Sequence, residues 1–199
     1  MWLLSGALLL MLILGYTTSL AIRSAKIHHR LSTPSRGWSR PAHRPDPDLG
    51  FAPIPGARSA HTFPIGPDIP MAYNKDGFRV PVGATSRNRP GPRILFLGCS
   101  YTYGDACLAE ETFPHKVAQA VGGTELNAGR CSYGLAQMLL LAEDLIPKHR
   151  PDLLVVQYSP WLVNRAITPY APAWLGTLPV PYFFLEETDE IAIPGFHSK

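Results

Sequence analysis

The chain has 199 residues, 46% of them apolar and 17% charged, with a formal net charge of +3. That length holds one domain with appendages, the apolar content excludes a disordered chain, and so small a charge does not by itself point to nucleic acid. Three cysteines, with no C-x-x-C or C-x-x-H pair, exclude a disulfide-dense scaffold and speak against a structural zinc site.

Residues 1–22 carry no charged side chain and are Leu-rich, with Trp2 and Tyr16 as candidate interface residues. About 20 apolar residues are needed to span a bilayer as a helix, so this stretch is expected to be a transmembrane helix or signal anchor. The competing reading is a cleaved signal peptide. Against it, no Lys or Arg precedes the apolar run and no small-x-small cleavage site follows. The main domain is expected outside the cytoplasm. Arg23, Lys26 and Arg30 conflict with that placement, because basic residues flanking a span favour the cytoplasmic side. An earlier helix, or a start inside a longer gene, would remove the conflict.

Residues 23–58 hold seven Lys/Arg against two Asp, about +5, and six prolines from Pro34 to Pro55. They read as a basic, Pro-rich linker in extended form, with a charge suited to a weak hold on anionic lipid headgroups. Nucleic acid is not expected as a partner, since no aromatic interleaving accompanies the charge. Residues 59–92 read as an irregular cap, with a turn at Asp76-Gly77.

Residues 93–199 read as the main domain, with its core in 93–165. Arg93-Ile94-Leu95-Phe96-Leu97 suits a strand buried on both faces. Glu110–Val121 has helical spacing, with Phe113, Val117 and Val121 on one stripe and acids in its first turn. Thr124–Asn127 reads as a short strand, Leu135–Ile146 as a helix ended before Pro147, and Asp152–Tyr158 as another buried strand. Strand, helix, strand, helix, strand predicts a parallel sheet with right-handed crossovers and a ligand at the strands' carboxyl ends. Three loops lie there: 98–104, 127–134 and 158–165.

The first loop, Gly98-Cys99-Ser100-Tyr101-Thr102-Tyr103-Gly104, has glycines at both ends, so the backbone can turn sharply out of its strand. A serine there projects into the crevice beside backbone N–H groups that suit an oxyanion. The loop lacks the G-x-G-x-x-G, P-loop and G-x-S-x-G patterns. The second loop, Asn127-Ala128-Gly129-Arg130-Cys131-Ser132-Tyr133-Gly134, suits a tight turn. In the third, Pro160 ends the strand, and Trp161 or Asn164 would face the same crevice.

In this order the three loops resemble the SGNH/GDSL hydrolases. The 98–104 loop looks like that family's G-D-S-x-T-x-G block, Asn127-Ala128-Gly129 with Gly134 like the second block, and the Tyr158–Arg165 loop stands in place of the third. Asn74-x-x-Gly77-Phe78-Arg79 is similar to the lead-in of many membrane-associated members. The resemblance covers about residues 70–165. It implies a three-layer α/β/α sandwich with a parallel, flavodoxin-like sheet. It also implies ester hydrolysis or acyl transfer, with Ser100 as nucleophile, its own N–H and a second-loop donor for the oxyanion, and a His as base. Acetylated carbohydrate or lipid esters are the implied substrates, and no cofactor or metal is implied.

The chain departs from the pattern in four places. Cys99 stands for Asp, and the second-block oxyanion glycine falls on Ser132. The third-block Asn falls on Trp161, or on Asn164 after sliding three residues. No D-x-x-H occurs. His28, His29, His43 and His61 fall in the amino-terminal regions, and His115 and His149 on or after helices; His197, eight residues after Asp189, is the remaining candidate base. Residues 166–199 are rich in aromatics and prolines and read as a lid that returns to further strands. With about three parallel strands to this point, the sequence reads as the front of a longer hydrolase. Cys99 and Cys131 both fall in crevice loops, as free thiols or, in an oxidising compartment, a disulfide; Cys99 as nucleophile is a further alternative. The competing functions are a catalytically incomplete fragment or non-catalytic binding module on the same fold, and a nucleotide-binding domain. The last would need an acidic ribose partner where Asn127 stands.

Overall fold

A computed structural model describes residues 2–32, 41–61, 67–84, 89–172, 178–185 and 191–193. The first element, α1, spans Trp2–Ser32. Among the described residues no helix is long and apolar enough to cross a membrane, which corrects the expected transmembrane helix at 1–22. The unbroken apolar run of α1 is Ala7–Leu14, about 12 Å at 1.5 Å per residue, against a hydrocarbon core of about 30 Å. Gly15-Tyr16-Thr17-Thr18-Ser19 comes next, and the helix continues through Arg23 into the stretch expected to be linker.

The rest of that stretch is also more ordered than its prolines suggest. Strands β1 (His43–Asp46) and β2 (Gly50–Pro53) form an antiparallel hairpin. Asp46 closes the turn, one carboxylate oxygen accepting the N–H groups of Asp48 and Leu49 at 3.1 and 3.0 Å. A proline at the edge of a two-stranded ribbon breaks no needed ladder bond. The hairpin is docked by side chains of the domain: Tyr133 donates its hydroxyl to the Phe51 carbonyl, and Gln137 Nε2 donates to the Leu49 carbonyl at 2.7 Å.

The main sheet has six strands in the order β3-β4-β5-β7-β6-β8. Strands β3 (Arg58–His61), β4 (Ile69–Tyr73) and β5 (Arg79–Val80) come from the region expected to be linker and irregular cap. Strand β6 (Arg93–Leu97) leads to α2 (Ser100–Tyr103), a 3₁₀ turn (Ala109–Glu111) and α3 (Phe113–Ala120). Then come β7 (Thr124–Asn127), α4 (Leu135–His149), β8 (Leu153–Val156) and α5 (Trp161–Ala166). Strands β7, β6 and β8 run parallel, but β5 pairs antiparallel with β7, and β4 and β3 extend the sheet antiparallel. The sheet is therefore mixed, which corrects the expected parallel flavodoxin-like sandwich. Proline in β4, a two-residue β5 and the Asn74–Phe78 turn leave no readable alternation there. Asn74 Oδ1 fixes that turn by accepting the N–H groups of Asp76 and Phe78, both at 3.0 Å.

Alternate residues of β6 meet different helices. Leu95 and Leu97 cluster with Met138 and Leu145 of α4 and Leu162 of α5, whereas the Phe96 ring meets Phe113 of α3 at 5.8 Å. On α3 the buried residues are Pro114 and Ala118, and Phe113, Val117 and Val121 are each 40% exposed or more. Small residues let α3 lie close on the sheet, and the larger stripe falls at its margin. Helix α4 runs through Pro147 to His149, because Pro147 lies in the exposed last turn, where the carbonyl it leaves unpaired can meet water.

Strand β8, expected to be buried, is the sheet edge, with Leu153, Leu154, Val155 and Val156 between 36% and 53% exposed. Beyond α5 none of the described residues adds a strand to this sheet. Ala171 donates its N–H to the Leu178 carbonyl, and β9 (Phe184–Leu185) and β10 (Ile191–Ala192) pair separately.

Truncating a buried β6 residue should therefore be far more harmful than changing β8. Leu95→Ala is expected to destabilise the chain by about 3 kcal/mol. Leu154→Ser is expected to change it by less than about 1 kcal/mol. Urea unfolding of the two variants measures the difference.

Candidate functional site

The parallel strands β7, β6 and β8 bring their carboxyl ends to one side, and the three loops meet there. Gly98 leaves β6 where no side chain fits: an added Cβ would lie 1.9 Å from Thr102 Oγ1 and 2.8 Å from Gln157 Oε1. Helix α2 begins two residues later with half-buried Ser100. Gly104 then ends the helix in the left-handed conformation.

The second loop is bonded across to the first. Asn127 Oδ1 accepts the Gly129 N–H at 3.1 Å, Asn127 Nδ2 donates to the Thr102 carbonyl at 3.1 Å, and the Arg130 N–H reaches the Gly98 carbonyl at 3.0 Å. A Cβ on Gly129 would sit 2.5 Å from the Tyr103 nitrogen, so this close approach requires glycine. The Gly129 and Arg130 N–H groups are thus already engaged.

Of the residues singled out from sequence, Trp161 reaches the loop that carries Ser100. Tyr101, 67% exposed, lies against the Trp161 ring with centroids 5.6 Å apart. Ser132 is buried with a left-handed φ of 71°, and among the described residues its Oγ has no hydrogen-bond partner. Asn164 is exposed on α5 and accepts the Thr168 hydroxyl with its main-chain carbonyl. No described contact brings its side chain to Ser100. His197 and Asp189 lie outside the described residues. Cys99 is fully buried in the core beneath the loop, and Cys99, Cys107 and Cys131 are free thiols.

Flanking the Ser100 loop is a polar cluster that the sequence did not reveal. Arg79 and Arg130 are both buried. Arg79 donates to the carbonyls of Tyr103, Gly104 and Cys107, with its guanidinium 4.6 Å from the Tyr103 ring centre. Arg130 donates to the carbonyls of Gly129 and Gly77 and lies 5.5 Å from the Tyr73 ring centre. His61 Nδ1 sits 3.0 Å from Asp105 Oδ1, joining β3 to the loop after α2 across 44 residues of sequence. Burial opposes charge on Asp105, yet the His61 hydrogen bond and charge, with the Cys131 thiol, hold its carboxyl below the ordinary range. Burial pushes the Cys131 thiol well up, reinforced by Asp105, which disfavours its thiolate.

A hydroxyl relay completes the cluster. Tyr73 donates to the Tyr103 hydroxyl at 3.0 Å, Tyr103 points at Met71 Sδ, and His43 Nε2 lies 3.0 Å from the Tyr73 hydroxyl. Burial, and then the Arg130 charge, push the His43 imidazole down to about 3; burial pushes the Tyr73 phenol up to about 12. Elsewhere, His115 Nδ1 is 2.9 Å from Glu125 Oε2, and His149 packs edge-on against Phe78.

No family model matches this chain, and no curated protein matches it. Its functional reading therefore rests on the residues of the crevice.

The buried neutral His43 sets a pH dependence. The unfolded chain takes up its proton near pH 6.5 and the folded chain only near pH 3, so this contribution is full above pH 6.5 and falls as pH drops towards 3. Asp105, with its lowered value, adds to that loss at lower pH. Glu125, raised by burial, contributes in the opposite sense, losing its share as pH rises through its raised value. The melting temperature should fall between pH 6.5 and 4, and His43→Gln should flatten that slope in calorimetric scans.

Proposed function

We propose that the chain is an ester hydrolase or acyltransferase of the SGNH/GDSL type, with Ser100 as nucleophile. The observation that carries the reading is the position of Ser100. It opens α2 at the carboxyl end of the central parallel strand, half-buried, on a turn with no room for a side chain at Gly98.

In this reading Ser100 Oγ attacks the acyl carbon, and the carbonyl oxygen becomes an oxyanion held by the Ser100 N–H and a second-loop donor at Ser132. The alcohol leaves with a proton from the base, and water or an acceptor alcohol then releases the acyl group. His197 is proposed as that base: His43, His61 and His115 lie against Tyr73, Asp105 and Glu125, His149 ends α4 away from the strands' carboxyl ends, and His28 and His29 belong to α1. The exposed rings of Tyr101 and Trp161 offer an apolar flank to a carbohydrate or lipid ester. In this reading the folded part works outside the cytoplasm.

One observation favours a non-catalytic binding module instead. Among the described residues no histidine is hydrogen-bonded to Ser100 Oγ, which lies 4.0 Å from Cys99 Sγ. An unassisted serine is a poor nucleophile at neutral pH.

A fluorophosphonate probe separates the two. Intact-mass spectrometry of the full chain should show an adduct that Ser100→Ala abolishes. His197→Ala should slow its formation by about a hundredfold. Iodoacetamide pretreatment should leave labelling unchanged, since the Cys99 thiol is buried. A folded wild type with no adduct would support the binding module.

A further inference from the structure

We infer that Gln157 is the positioning residue of the crevice, its carboxamide latching the Ser100 turn to the end of β8; the catalytic consequence of this rests on the hydrolase reading. Gln157 directly follows β8, and its own N–H continues the ladder to the Leu97 carbonyl at 2.8 Å. Its side chain turns towards the loop leaving β6. There Oε1 lies 3.0 Å from the Cys99 nitrogen, 3.2 Å from Cys99 Sγ and 3.1 Å from Thr102 Oγ1. Its Nε2 donates to Ser159 Oγ at 2.9 Å, which orients the carboxamide so that the oxygen faces the loop.

These contacts bracket Ser100. Cys99 before it and Thr102 after it are held by the same oxygen, while Ser100 makes no bond to Gln157. The opposite flank of α2 is held by Asn127, which takes the Thr102 carbonyl. The four-residue helix is thus clamped between side chains at the ends of β7 and β8. A helix this short has almost no stability of its own, so these bonds set its direction. A leucine at 157 would fill similar space but leave the Cys99 N–H without its acceptor in a buried site. The first turn of α2 would loosen, and Ser100 would lose its aim rather than its environment.

The test uses the full chain as wild type, Gln157→Leu, Gln157→Glu and Thr102→Val. It reads amide hydrogen exchange over 98–104, the rate of fluorophosphonate labelling, and turnover of a small p-nitrophenyl ester. Gln157→Leu should exchange its Cys99 amide about tenfold faster. Its labelling should slow by about ten- to a hundredfold, with kcat reduced and KM little changed. Gln157→Glu keeps the acceptor oxygens and should recover protection and most of the labelling. Thr102→Val removes one donor and should fall between, which keeps the test decisive if Gln157→Leu does not fold. Unchanged exchange in both Gln157→Leu and Thr102→Val would overturn the latch. Faster exchange with unchanged labelling would overturn its role in aiming Ser100. An unlabelled wild type would sink the hydrolase reading instead, and the exchange data would then decide the latch by themselves.

Discussion

Strand β6 is the element on which the crevice depends. It is paired in parallel on both sides, and Ile94, Leu95, Phe96 and Leu97 are all buried. Burying each such side chain contributes about 1.5–3 kcal/mol, so the crevice hangs from one of the most firmly held segments of the chain. Parallel pairing also dictates where the loops go. All three strands must end on the same side, and the loops after Leu97, Asn127 and Val156 converge there. The geometry around Ser100 is then a matter of short-range bonds added to a rigid floor.

Those bonds come mostly from side chains with fixed planar groups. Asn127 and Gln157 use carboxamides, each with a donor and an acceptor employed at once. Arg79 and Arg130 use guanidinium forks on loop carbonyls, stacked on Tyr103 and Tyr73. Charged donors make the stronger hydrogen bonds, and burial, followed by the Arg130 charge, keeps His43 neutral. The Asp105–His61 pair supplies anionic balance beside Arg79 and ties the far strand β3 to the loop after Ser100. The β1–β2 hairpin is held against this cluster through His43 and Tyr73, so a stretch with the composition of a linker is joined to the crevice.

Part of this was legible in the residues. The strands at 93–97, 124–127 and 153–156 and the long helix from Leu135 appear where apolar runs and periodicity placed them. The Ser100 loop was legible because glycine at both ends of a strand-to-helix turn is a local signal. Trp161 does reach that loop, through Tyr101. Asn164, recovered from sequence only by sliding, is exposed on α5. The exposure of β8 is not legible in its residues, because Leu-Leu-Val-Val is the same whether a strand is central or at an edge; strand order decides that. Gln157 and the Asp105–His61 pair carried no readable signal, and Arg79 was legible as part of a lead-in motif but not as a clamp on the Ser100 loop, because each acts on residues distant in sequence.

The sequence by itself determined local matters: which runs form strands and helices, where glycine must stand, and that a serine sits on the turn after β6. Those depend on side-chain volume, backbone freedom and apolar periodicity within a few residues. Only the tertiary structure decided the mixed sheet, the exposed edge at β8, the docked hairpin and the clamp around α2. Strand pairing and buried hydrogen bonds join groups 25 to 88 residues apart in the chain, as Asn127 with Thr102 and Gln137 with Leu49 do. Such partners are chosen by the shared need of buried polar groups for one another, a condition that arises only once the chain is packed.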